Sequence, residues 1–174
     1  MLIDEGLDTG PTLLSRSTPI GAEETAAELE PRLAAIGAEI LVETLAEIAA
    51  GTLTPAPQDH ARATLAPIIK KEDGRLDWTM PAEALARRVR GFHPWPGTFT
   101  TWQGQPLKVL RARGDADGPS EPGAIVAADR EGLVVGCGQG TRLRLLEVQP
   151  ESRRAMSAAA FAAGVRLAPG ARLG

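Results

Sequence analysis

Two hydrophobic periods that never overlap constrain what this chain can fold into. Between residues 23 and 50, the positions Leu29, Leu33, Ile36, Ile40, Thr44 and Ile48, thickened by Leu41 and Leu45, step by three and four. That is the spacing of one face of an α-helix. Beyond residue 97 the period is gone. Short apolar stretches at 98–102, 107–112, 124–127, 133–135 and 143–148 alternate with turn residues: Gln103-Gly104, residues 115–119 and 129–132, and Gly138-Gln139-Gly140. Short strands joined by tight turns have this texture. The chain is therefore expected to hold an α/β part followed by a β part.

Between the two textures lies Thr54-Pro55-Ala56-Pro57-Gln58-Asp59, where two prolines fix φ and remove backbone donors, so neither a helix nor a central strand can continue. A linker is expected here, running through Ile68-Ile69-Lys70-Lys71 to about residue 72. On its N-terminal side, residues 1–3 read as the end of a buried strand and residues 12–20 as a second strand closed by Pro19 and Gly21. Thr25 and Glu28 form a capping box for the helix. Pro31 and Gly37 predict a kink or two successive helices, and Gly51 supplies the stop. On the C-terminal side, Pro81 opens a helix reaching residue 90 with Leu85 and Val89 on its inner face. Ser157 caps a last helix that Gly164 ends. Five strands with tight turns are expected to close as a small barrel.

The net charge of −3 hides a division. Residues 1–59 hold two arginines against eleven carboxylates, a balance of −9, and the remainder holds seventeen cations against eleven carboxylates, a balance of +6. The second part carries either an ordinary basic surface or a field suited to a polyanion such as RNA, and charge by itself favours the former. Cys137 is the lone cysteine, which excludes an intramolecular disulfide and argues against a cysteine-ligated zinc site; a reducing cytosol fits such a chain. There is no run of about 18 apolar residues and no secretory leader pattern.

Leu7-Asp8-Thr9-Gly10 places a carboxylate on a tight turn between two strand candidates, where a scaffold can present it to a ligand. By itself, an aspartate beside a glycine is a turn residue. The longer run Glu5-Gly6-Leu7-Asp8-Thr9-Gly10-Pro11, followed by Leu13 and Ile20, resembles the signature around the catalytic aspartate of the folate-dependent formyltransferases. Members of that family carry a doubly wound α/β domain and move a formyl group from 10-formyltetrahydrofolate to an amine. The resemblance implies that Asp8 is the catalytic aspartate, orienting a nearby histidine and assisting proton transfer. Attack on the formyl carbon makes an oxyanion that needs a donor, and the amine must lose a proton to a positioned base. The family draws both from an Asn-x-His motif upstream of the aspartate, and this chain begins seven residues before Asp8. His60 and His93 match other parts of the family and are expected to be structural or surface histidines.

Downstream the resemblance narrows. Gly91-Phe92-His93-Pro94-Trp95-Pro96-Gly97 is similar to the family's helix-to-barrel junction, where its role is packing. Leu146-Glu147-Val148-Gln149-Pro150, Ala155-Met156-Ser157, and the stretch from Gly164 through Pro169-Gly170 to Leu173-Gly174 resemble the ending of the methionyl-tRNA formyltransferase family. The implied architecture is a C-terminal remnant of the doubly wound formyltransferase domain over residues 1–53, a linker over 54–72, and an OB-like β-barrel with flanking helices over 73–174.

In such a protein the linker and barrel help to hold initiator methionyl-tRNA. The matching cations are Lys70, Lys71 and Arg75 in the linker segment and Lys108, Arg111, Arg113, Arg142 and Arg144 on the barrel. Phosphate contacts from them would be sequence-tolerant and salt-sensitive. The implied protein is a cytoplasmic, metal-free monomer that uses 10-formyltetrahydrofolate as donor in translation initiation. Met1 falls inside what the family has as a core strand, so the isolated chain is expected to be a fragment with little or no formyl transfer. Two alternatives stay open: a non-catalytic RNA-binding module, and a fragment of a related sugar-nucleotide formyltransferase.

Overall fold

The computed structural model describes residues 1–174 as two compact units, Met1–Ile68 and Ile69–Gly174. No helix in either is long and apolar enough to cross a membrane.

The first unit is organised around one helix, α1 (Ala26–Ala50). Its start follows the capping box, with the Glu28 carboxylate accepting from the Thr25 N–H at 2.9 Å, and Gly51 ends it in the left-handed region at φ 68°. The expected break at Pro31 and Gly37 does not occur: one helix runs through both. Pro31 lies in the second turn, where the carbonyl it leaves unpaired belongs to the exposed Ala27 and can turn to water. The strands expected at 1–3 and 12–20 are also absent. Residues 1–20 bend at 5–8 and form no ladder, tied by Leu2 N–H to the Pro11 carbonyl and by a bridge between Thr12 and Ala56. A strand needs a neighbour along its length, and this segment has none within the unit. Polar contacts hold it against α1 instead: Arg16 reaches Glu39 at 3.0 Å and Glu43 at 2.6 Å, and Arg32 engages Glu24, Thr18 and the Pro19 carbonyl. No hydrophobic side chain of this unit is buried, and Leu33, Leu41, Leu45 and Ile48 of the apolar stripe all stay exposed.

The second unit contains the core. Helix α2 (Ala82–Gly91) is followed by strands β1 (Thr98–Trp102), β2 (Gln105–Asp115), β3 (Ile125–Asp129), β4 (Gly132–Gly136), β5 (Arg142–Pro150) and the two-residue β6 (Met156–Ser157), then helix α3 (Ala158–Gly164). All pairings are antiparallel, in the order β1-β2-β5-β4-β3, with β6 beside the end of β5. The β1–β2 hairpin turns through Gln103 and Gly104, both at positive φ, the two-residue turn whose twist matches that of the strands. Ser157 caps α3 by accepting from the Ala160 N–H at 3.1 Å.

Inward residues of β2 (Leu107, Val109, Ala112), β4 (Leu133, Val135) and β5 (Leu143, Leu145, Val148) meet Leu85, Ala86 and Val89 of α2 and Phe161 and Ala162 of α3 in one cluster. Trp78 joins it and satisfies its indole N–H on the Thr100 hydroxyl at 3.2 Å.

The expected closed barrel is not formed. Its closure would need β1 and β3 to pair with each other, and other segments occupy both edges. Residues 170–172 bond along β3, through Ile125 N–H to the Ala171 carbonyl at 2.8 Å and Gly170 N–H to the Ile125 carbonyl at 2.9 Å. The β1 edge receives the Leu76 N–H on the Phe99 carbonyl at 2.9 Å and the Gly174 N–H on the Thr101 carbonyl at 3.1 Å. Edges left bare would template pairing with other chains. Close approach also fixes Gly138, whose N–H is shared between the Trp78 and Met80 carbonyls; a Cβ there would overlap the Thr79 carbonyl oxygen.

Burial divides the units in expected stability. Amide exchange should be fast across residues 1–59 and slow across the sheet and α2, because opening costs little where no apolar side chain is buried. Equal protection in both units would overturn this. Gly138→Ala should destabilise the second unit by about 2 kcal/mol or more, read from denaturant unfolding.

Candidate functional site

Asp8 sits on its turn at φ 54° with its side chain exposed. A left-handed backbone is uncommon outside glycine and is tolerated best by Asn and Asp. The turn is held from outside, because the Gln58 side-chain amide donates to the carbonyls of Asp8 at 2.9 Å and Gly10 at 2.7 Å. The Asp8 carboxylate itself makes no hydrogen bond or ion pair, so it is free to meet a ligand. Gln58 lies in the proline-rich stretch read above only as linker. Nothing in its sequence context signals the clamp, which joins positions fifty residues apart.

The basic residues fall into two groups. Lys70 and Arg75 flank, and Lys71 opens, a short 3₁₀ turn, Lys71–Gly74, whose start is capped by the Asp73 carboxylate accepting from the Lys70 N–H at 2.7 Å. All three are exposed and none forms an ion pair. On the sheet, alternation places Lys108, Arg111 and Arg113 of β2 and Arg142 and Arg144 of β5 on the face opposite the core. Arg113 stands across from Arg144, and Arg111 across from Glu147.

Proximity does not make these five equivalent. The Arg144 side chain is 11% exposed, and its guanidinium bridges Asp115 at 2.8 Å and Asp129 at 2.7 Å. Arg113 pairs with Glu131 at 3.1 Å. Arg142 donates to the Pro119 carbonyl at 3.1 Å and keeps a buried Nε without a partner. Arg144 is thus committed to holding the sheet, and the charges of Arg113 and Arg144 are matched locally. Lys108 and Arg111 remain exposed and unpaired on this face.

A groove of about 660 Å³ opens beside Lys108, between the outer face of β1 and β2 and the 93–97 corner, with Lys71, His93, Phe99 and Gln149 in its wall. At that corner the His93-Pro94 and Trp95-Pro96 bonds are cis, and Arg88 lies 5.1 Å over the Phe92 ring. Trp95 is 63% exposed, so the packing role expected for the corner does not extend to it. Within the first unit, His60 makes no hydrogen bond to Asp8. Cys137 is buried, and desolvation pushes its thiol up to about 12, which leaves no thiolate for chemistry at neutral pH. No three His, Cys, Asp or Glu side chains gather where they could hold a metal ion.

Sheet, flanking helices and sequence together define a known class. Residues 68–166 match the family described as the formyl transferase, C-terminal domain, and the chain belongs to that family. Its relatives are more specific. It is 52% identical to a methionyl-tRNA formyltransferase of Solibacter usitatus, covering all of this chain and 55% of that protein. A methionyl-tRNA formyltransferase of Anaeromyxobacter dehalogenans is 52% identical over 95% of this chain and 54% of its own length, and one of Myxococcus xanthus is 49% identical over 99% and 54%. The chain thus spans about half the length of these relatives. The fold is shared with a crystal structure of HypX from Aquifex aeolicus, at a TM-score of 0.61 and 18% identity over 91% of this chain and 29% of that one.

The charge network yields a stability prediction. Asp129 is held below the ordinary carboxyl value of 3.8 first by the hydrogen bond from Arg144 and then by the Glu131 N–H. A lowered carboxyl contributes fully above its unfolded value and loses that contribution as pH falls through the folded one. Thermal stability should therefore drop as pH is lowered below about 4. Arg144→Met should lower the melting temperature at pH 7 on the order of 5 °C and shrink the acid-induced drop, as followed by circular dichroism.

Proposed function

We propose that this chain is the C-terminal part of a methionyl-tRNA formyltransferase, an enzyme that transfers formyl from 10-formyltetrahydrofolate to the amino group of methionine on initiator tRNA. One observation carries the reading: identity of about half to proteins of that name along the entire chain, a span that includes the Asp8 turn. Residues 1–53 are the end of the formyl-transfer domain, residues 54–72 the connection, and residues 73–174 a barrel-related tRNA-binding domain. The protein works in the cytoplasm as a monomer.

Asp8 is the catalytic aspartate in this reading. Its exposed, unengaged carboxylate and the Gln58 clamp on its turn are what a proton-handling group needs, namely access and a fixed position. The first unit buries no hydrophobic side chain, so the residues present do not make a pocket for a pteridine ring. On the tRNA side, Lys70, Lys71, Arg75, Lys108 and Arg111 supply charges that no carboxylate of the protein answers. Arg113, Arg142 and Arg144 contribute less, because the protein has already engaged them.

A chimera tests the reading: residues 1–174 joined to the portion of the Solibacter usitatus relative that they do not match. It should formylate initiator methionyl-tRNA, and Asp8→Asn should lower that rate about a hundredfold or more. A folded chimera that formylates a sugar amine and leaves methionyl-tRNA untouched would defeat the proposal. For the chain alone, binding to initiator tRNA should weaken steeply with salt. Replacing Lys70 and Lys71 by Ala should flatten the log–log slope by roughly 0.7–0.9 for each phosphate that one of these ammonium groups neutralises.

A further inference from the structure

Four positions line up across the outer face of the sheet. Arg75 bridges Phe99, Phe99 is the register partner of Lys108, and Lys108 is the partner of Gln149. Their chain neighbours Leu76, Thr98, Thr100, Leu107, Val109 and Val148 are buried, so alternation turns this row outward. Opposed positions in antiparallel strands hold their Cβ atoms about 5 Å apart. A half-buried aromatic ring, an unpaired ammonium and an amide thus form one continuous strip, and all three line the 660 Å³ groove. Lys71 and His93 add a second ammonium and an imidazole to its wall.

This set of groups is matched to an unpaired nucleotide. A ring face stacks a base, ammonium groups take the flanking phosphates, and amide and imidazole can bond base edges. Glu72 and Glu151 also line the groove. They make it a poor trap for a bare anion, while their oxygens can accept from the exocyclic amines of adenine or cytosine. A duplex cannot use the strip, because its bases already stack on one another and cannot offer a face to Phe99.

Building on the tRNA-binding reading above, we infer that the Phe99–Lys108–Gln149 strip is a site for one or two unpaired nucleotides of an RNA, with a base on Phe99 and phosphates on Lys108 and Lys71. The strip shares Lys71 and Arg75 with the Lys70–Arg75 segment and adds to its exposed charge the aromatic face of Phe99.

Three probes test it on the full chain: a single-stranded RNA tetranucleotide, a blunt 12-base-pair RNA duplex and initiator tRNA. The tetranucleotide is expected to shift NMR signals of Phe99, Lys108 and Gln149. Phe99→Leu should weaken its binding about tenfold and leave duplex binding unchanged. Lys108→Gln, at an exposed position that folding does not need, should weaken it several-fold and serves if Phe99→Leu fails to fold. If tRNA binds but the tetranucleotide shifts none of these signals, or duplex binding falls equally in both variants, the strip is no such site and the tRNA reading stands. Failure of all three RNAs to bind at low salt overturns both.

Discussion

The β2–β5 pairing governs the second unit. It runs from Leu107 opposite Pro150 to Asp115 opposite Arg142, and it is interrupted by register shifts around Leu110 and Arg111. Those shifts keep alternation in phase with the core on both sides of the irregularity. Leu107 and Val109 precede it, Ala112 follows it, and all three point inward. Slipping the pair by one residue would send Lys108 and Arg113 into the core and Val109 to water, a cost that specifies the register. The outward strip with Phe99 and Gln149 exists because this register holds.

Electrostatics on the outer face follow from the same geometry. Bringing Arg113 opposite Arg144 sets like charges side by side, which is unfavourable unless each is answered. The hairpin between β3 and β4 answers them: Asp129 takes Arg144 and Glu131 takes Arg113. Asp115 closes the network from the end of β2. A face that looks strongly basic from residue types is thus partly neutral, with its free charge concentrated at Lys108 and Arg111 and in the Lys70–Arg75 segment.

Legibility differed between the units for a physical reason. In the second, hairpin turns, a helix cap and short apolar stretches are local signals, so β1 and α3 could be read to within a residue, and β2 to β5 only a little less closely. The two-residue β6 and the tail along β3 carry no periodic signal and could not be read. In the first unit, residues 12–20 have strand-forming composition but no partner beyond the single Thr12–Ala56 bridge, and backbone without a ladder is not a strand. Pro31 looked disruptive because propensity knows nothing of the solvent that can satisfy the Ala27 carbonyl. For the site, Asp8 and the cations were recognisable by type and motif. Phe99, Gln149 and the Gln58 clamp were not, since each acquires its role from a residue distant in the chain.

The sequence by itself determined the periods, the turns, the capping residues and the membership of a formyl transferase family, because these are written in neighbouring residues and in motif strings. Tertiary structure alone decided that the sheet stays open with its edges covered by residues 75–76 and 170–174. It alone decided that Arg144 is bound between two carboxylates while Lys108 is free, and that a phenyl ring, an ammonium and an amide share one strip. Hydrogen-bond closure and charge pairing depend on which segments meet in space, and no local pattern carries that information.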